Sequence, residues 1–174
     1  EITGKAVDRY FELNAALFEF HELFHEENPN ERAIALVAAT FLETLLDHIL
    51  LAFLPEDEKE VNQLLNYNQP LGTFSGKITM VYCLGLMEKK VKKDLDLIRK
   101  IRNKFAHQLR VDFEDGQIRS WCNELSWYKI ALGNSPEGAS NKMIFQVAVD
   151  QLITHLNGCV SIARGEKRKV VNNF

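Results

Sequence analysis

Arg102, Asn103 and His107 lie within six residues of one another, in the run Asp94-Leu95-Asp96-Leu97-Ile98-Arg99-Lys100-Ile101-Arg102-Asn103-Lys104-Phe105-Ala106-His107. Leu97, Ile98, Ile101 and Phe105 recur at helical spacing, so the run reads as a helix with one buried face. At about 100° per residue, Arg102 falls ~40° from Ile98, on the flank of that face. A half-buried guanidinium needs a carboxylate or phosphate, because burying it unpaired costs several kcal/mol. His107 follows ~140° further round, near the helix end. An imidazole there can move protons, and an arginine can stabilise growing negative charge. Candidate counter-charges are Glu43 and Asp47, four apart on one side of an otherwise apolar segment. They fit an acid/base pair. Acids in such a setting more often neutralise a buried cation. Arg102 is the expected partner, with Arg99 as the other candidate.

A second pattern is His21-Glu22-Leu23-Phe24-His25, which matches H-E-x-x-H. On a helix, histidines at i and i+4 can bind zinc while the glutamate acts as a base. Glu43, 18 positions after His25, is the available third ligand. Against zinc, His21 lies within the apolar stripe between Leu17 and Phe24, and Pro29 ends the helix four residues after His25. The expectation is therefore packed or surface histidines, with no metal and no cofactor. A zinc hydrolase stays a distant third reading.

The elements that position these residues are helical. Only 4 Pro and 9 Gly occur in 174 residues, and most fall between periodic segments. The chain is long enough for one domain with a sizeable core. The apolar run Ala33–Leu54 is interrupted by Glu43, Asp47 and His48, so it reads as a buried helix rather than a membrane span. The N-terminus shows no basic-then-apolar leader pattern, and Cys83, Cys122 and Cys159 form no CxxC pair. Reduced thiols and a cytoplasmic location are expected. The net charge of −3 hides an asymmetry. Residues 1–88 hold 5 Lys and Arg against 15 Asp and Glu, whereas residues 89–174 hold 16 against 9. The acidic half repels nucleic acid, and the Arg102 helix can attract it. Mutual attraction of the two halves, within the fold or across a dimer, is the favoured explanation of the asymmetry.

In order, the spacing predicts helices over Lys5–Glu27, Arg32–Leu54 after an Asn30 cap, Glu56–Leu65, from Thr73 or Ser75 through Met87, Lys89–Leu109, Cys122–Leu132 and Lys142–Ala163. Gly85 leaves the end of the fourth open. Val111–Ile118, around Asp115-Gly116, reads as an extended excursion near 111–121. The predicted architecture is all-α: a single helical bundle of about six or seven helices over residues 1–164, with a loose basic tail at 165–174.

Arg102-Asn103-x-x-x-His107 resembles the R-x(4–6)-H signature of the HEPN superfamily (higher eukaryotes and prokaryotes nucleotide-binding), whose members are all-helical. That resemblance implies a metal-independent endoribonuclease or RNA binder working as a dimer, with Arg102 and His107 catalytic. The alternative is that both residues only hold helices or subunits together. A longer resemblance runs through Pro70-Leu71-Gly72-Thr73-Phe74-Ser75, Leu84-Gly85-Leu86, Asp94-Leu95, Leu97–Asn103, Phe105-Ala106-His107, Phe113, Ile118 and Cys122, and includes the helix from Glu31-Arg32. Over roughly residues 31–125 the chain is similar to the mannitol operon repressor family. This implies an all-helical bacterial regulator that represses mannitol uptake and catabolism genes. No helix-turn-helix reading element is evident, and the net acidity argues against strong direct DNA binding. The expectation is a homodimeric regulator that acts through a protein partner or RNA, and more a regulator than an enzyme. Arg99, Asn103, Glu43 and Asp47 are expected to support or bind around Arg102.

Overall fold

Twenty-three residues, Glu31–Phe53, form the helix around which the others pack, α1. The computed structural model describes residue 22, residues 30–134 and residues 137–171. The predicted helix Lys5–Glu27 lies almost wholly outside them. Asn30 caps α1 by accepting from the Ala33 amide at 3.2 Å, as expected of it. Eleven α1 residues are buried, from Ile34 to Phe53. Its composition alone would let it cross a membrane, with a mean hydropathy of 1.8 in its most apolar stretch. Here that apolar surface is covered by other helices, most extensively by the last one.

The remaining described helices are α2 (Glu58–Leu65), α3 (Phe74–Cys83), α4 (Lys89–His107), α5 (Gly116–Glu124), α6 (Lys129–Leu132) and α7 (Asn141–Gly165). They make an all-α bundle, as the periodicity predicts, with no strand among the described residues. α1 is flanked by α7, α4 and α3, and α5 closes over α4 and α7. Thr73, rather than Ser75, caps α3 by accepting from the Gly76 amide at 3.1 Å. α3 stops at Cys83, short of the expected Met87, because Gly85 turns the chain at φ 74°. The Pro70-Leu71-Gly72-Thr73 turn before it admits only glycine at 72, since a Cβ there would overlap the Asn66 carbonyl oxygen.

The expected extended excursion is a loop, and half of it is helix. Asp115 is the cap of α5, accepting from Gln117 and Ile118 amides at 3.0 and 3.3 Å, and Gly116 is its first helical residue. An Asp-Gly pair serves a hairpin turn and a helix start equally well. Ile118 and Cys122, one turn apart and both fully buried, decide for the helix. In the loop, Phe113 drops into the core between Phe105 and Phe145, with ring centres 5.0 and 5.1 Å away. The predicted helix Cys122–Leu132 is likewise split by residues 125–128.

That split is held by one carboxylate. Asp94 on α4 is fully buried and has no ion pair among the described residues. Its oxygens accept from the Ser126 amide at 2.7 Å, the Ser126 hydroxyl at 3.0 Å and the Trp127 amide at 2.9 Å. It does for the α6 turn what a local cap does for an ordinary helix, from a different element. The cysteines are free. Burial pushes the Cys122 thiol up to about 12, helped by Glu114, and raises Cys159 as well. Cys83 is exposed.

Asp94→Ala strands three donors in the core. It should lower the free energy of unfolding by about 3 kcal/mol, and Asp94→Asn by about 1–2 kcal/mol. Urea titration followed by tryptophan fluorescence reads both. Midpoints unchanged from the parent protein would refute the account of Asp94.

Candidate functional site

The carboxylates of α1 belong to a lysine, not to an arginine. Lys77 on α3 is only 6% exposed. Its Nζ lies 3.1 Å from Glu43 Oε1 and 2.8 Å from Asp47 Oδ2. The expected pairing of Glu43 or Asp47 with Arg102 is therefore corrected. Lys77 was visible in the sequence, since Phe74, Lys77, Ile78 and Val81 share the i, i+3, i+4, i+7 face that α3 buries. A lysine in that row must bring acids with it.

One ammonium serves two carboxylates, and the pKa directions follow. Burial raises Asp47; its hydrogen bond and charge contact with Lys77 act the other way, and Glu43 adds to the rise. Its second oxygen, Oδ1, is buried with no hydrogen-bond partner among the described residues. Burial pulls Lys77 down, but the hydrogen bonds and charges of Asp47 and Glu43 together outweigh it, so Lys77 titrates above its usual value.

Arg102 is half-buried on the flank of α4, as its spacing predicts. Its Nη1 donates to Asn103 Oδ1 at 2.9 Å. Arg99 Nε lies 3.6 Å from Asp96 Oδ1, and Lys92 takes the other oxygen of Asp96 at 2.7 Å. His107 is the last residue of α4 and is exposed. Five residues of α-helix turn Arg102 and His107 about 140° apart. Within one chain they face different directions, so both could act on one bond only if a second molecule completed the site.

The end of α4 that presents His107 is rigidly held. Arg32, in the first turn of α1, donates Nη1 to the Phe105 carbonyl and Nη2 to those of Gln108 and Leu109 at 2.5 and 3.0 Å. These carbonyls lie at or just beyond the last turn of α4, where a cation also meets the negative end of the helix dipole. Glu31 beside it accepts from the Phe113 amide at 2.9 Å. Lys104 reaches Asp115 at 2.6 Å and Gln117 at 3.2 Å. The Lys104 hydrogen bond, with the Gln117 and Ile118 amides, holds Asp115 below the usual carboxylate range. Neither Arg32 nor Lys104 was singled out from the sequence, because their partners are backbone groups and caps on other elements.

His21 and His25 lie outside the described residues. Glu22 between them is helical and exposed. Glu43, the proposed third zinc ligand, is taken by Lys77. No metal-ligating cluster of three or more groups occurs among the described residues.

Lys77→Met should cost about 2–3 kcal/mol at neutral pH, at the lower end of a broken buried pair because Glu43 and Asp47 keep some contact with water. Because the folded Lys77 titrates above its ordinary 10.5, its stabilisation is complete below that pH and is lost as pH rises through the folded value. Denaturant midpoints of the parent should thus fall above pH 10.5, while those of Lys77→Met should lack this component. Parallel alkaline profiles for the two proteins would contradict the pairing.

The sequence pattern described as mannitol repressor matches residues 22–151. No curated protein matches the chain. Among solved structures, a chain of the X-ray structure of the MtlR-HPr complex from Escherichia coli superposes with a TM-score of 0.58. The two are 19% identical, and the match covers 87% of this chain and 98% of that one. At this identity the likeness is one of fold. The pattern spans the helices α1 to α6 and the first part of α7, including the Pro70–Ser75 turn and the Arg102 helix, and on that ground the chain belongs to the mannitol repressor family of operon regulators.

Proposed function

We propose that this mannitol repressor regulates through a protein partner in the cytoplasm, and that HPr is the partner to test first. The observation that carries this reading is the likeness of fold, along nearly the whole length of the other chain, to a structure of a MtlR-HPr complex. Net charge supports it. A chain at −3 gains little from the phosphate attraction that dominates direct DNA binding. The repressor works as a homodimer, which gives its acidic and basic halves a second route to mutual contact. Isothermal calorimetry of the purified chain with purified HPr should give saturable binding, and light scattering should give twice the chain mass for the free protein. Absence of heat and of co-elution, at concentrations where the protein stays folded, would sink the HPr reading.

A second reading is favoured by the exposure of His107, which has no hydrogen-bond or ion-pair partner among the described residues, and by the Arg102–Asn103 bond one turn before it. In this reading α4 binds or cleaves RNA, with His107 moving the proton of a ribose hydroxyl and Arg102 of a second chain stabilising the phosphate. Labelled RNA incubated with the protein in chelator tests it. Cleavage that disappears in His107→Ala establishes it; intact RNA together with no retardation on a gel removes it.

A further inference from the structure

The C-terminal end of α1 is a helix terminus that local sequence leaves uncompensated. Its last turn holds no basic residue, and the exposed acids Glu56, Asp57 and Glu60 follow it. A helix end of this kind combines unpaired carbonyls with partial negative charge. The far end of the chain fills it. The Arg168 backbone N–H donates to the Phe53 carbonyl at 2.7 Å. The Arg168 guanidinium sits 4.9 Å from the centre of the Phe53 ring. Lys167 Nζ lies 3.3 Å from Glu56 Oε1. These contacts anchor the first part of the tail, while Lys169, Val170 and Val171 stay exposed.

Two properties mark this contact as replaceable. Glu56 is 85% exposed, and an ion pair in water holds little. Arg168 is itself exposed, so its stacking on Phe53 is also the weaker, solvated kind. Yet the site has a definite chemistry: a carbonyl acceptor, an aromatic face and a carboxylate, arranged so that they receive a main-chain N–H, a guanidinium and an ammonium together.

We propose that this end of α1 is a docking site for a basic, arginine-bearing surface of a partner protein, and that Lys167 and Arg168 occupy it in the free repressor as a built-in competitor. The proposal rests on the protein-partner reading above. Partner binding then requires the tail to leave, so the tail sets the partner concentration at which the repressor responds. A tail that covers the site about nine-tenths of the time weakens apparent affinity about tenfold.

The test uses the full chain and its Lys167→Ala/Arg168→Ala double variant, with circular dichroism confirming that both are folded. HPr titrated into each should bind the variant about tenfold more tightly. A synthetic peptide of residues 164–174 should compete with HPr for the variant, and the same peptide with Arg168→Ala should compete poorly. Equal or weaker binding to the variant, or peptide and HPr bound together, overturns the proposal while leaving HPr as a partner. If HPr binds neither protein, the HPr reading falls by itself, and the surface is judged by the peptide. Saturable amide shifts confined to Phe53–Glu60 of the variant support a site for basic segments; no shifts there overturn it.

Discussion

An ionised side chain drawn into a helical bundle must find its partners inside, because water no longer supplies them. This constraint fixes how the helices of this protein register. Lys77 ties α3 to α1 through Glu43 and Asp47. Asp94 ties α4 to the turn that opens α6. Arg32 ties the start of α1 to the end of α4. Apolar packing alone would tolerate a slide of one helix along another, since leucine against leucine has many nearly equal arrangements. Each polar contact admits one placement, and a slide would leave a charge or a set of donors stranded.

Local pattern made the helices legible. The stripes on α1, α4 and α7 have the period of a helix, and Asn30 and Thr73 sit where caps belong. The loop before α5 was less legible because Asp115-Gly116 is ambiguous until Ile118 and Cys122 are known to face the core. The partners of the buried charges were not legible at all in the case of Asp94, whose acceptors serve backbone amides more than thirty residues away. Lys77 is the intermediate case. Its place in the apolar row of α3 was readable, but the choice between Lys77 and Arg102 as partner of Glu43 and Asp47 depends on which helix lies against that side of α1. Two halves of opposite charge constrain that choice only loosely.

The family assignment and the geometry meet on α4. Its apolar face is consumed by the core, so Arg99 and Arg102 find local partners in Asp96 and Asn103, and His107 stands exposed at its end. A regulator built this way offers other molecules a rigid helical edge rather than a mobile loop, and ordering costs on binding are correspondingly small. Lys167 and Arg168 behave differently. They lie on the bundle through a few solvated contacts at the end of α1, and so belong to the part of the structure that opens first.

The contact between α1 and α7 has a consequence for biosynthesis. The most apolar segment of the chain emerges from the ribosome well before the helix that covers most of it, which ends only at Gly165. At usual elongation rates the interval from Phe53 to Gly165 is on the order of ten seconds. During that time a stretch hydrophobic enough to enter a bilayer stands without its principal cover. The nascent repressor is therefore exposed to chaperones, to membranes and to neighbouring copies in a way the finished bundle is not, and its yield depends on what meets that helix first.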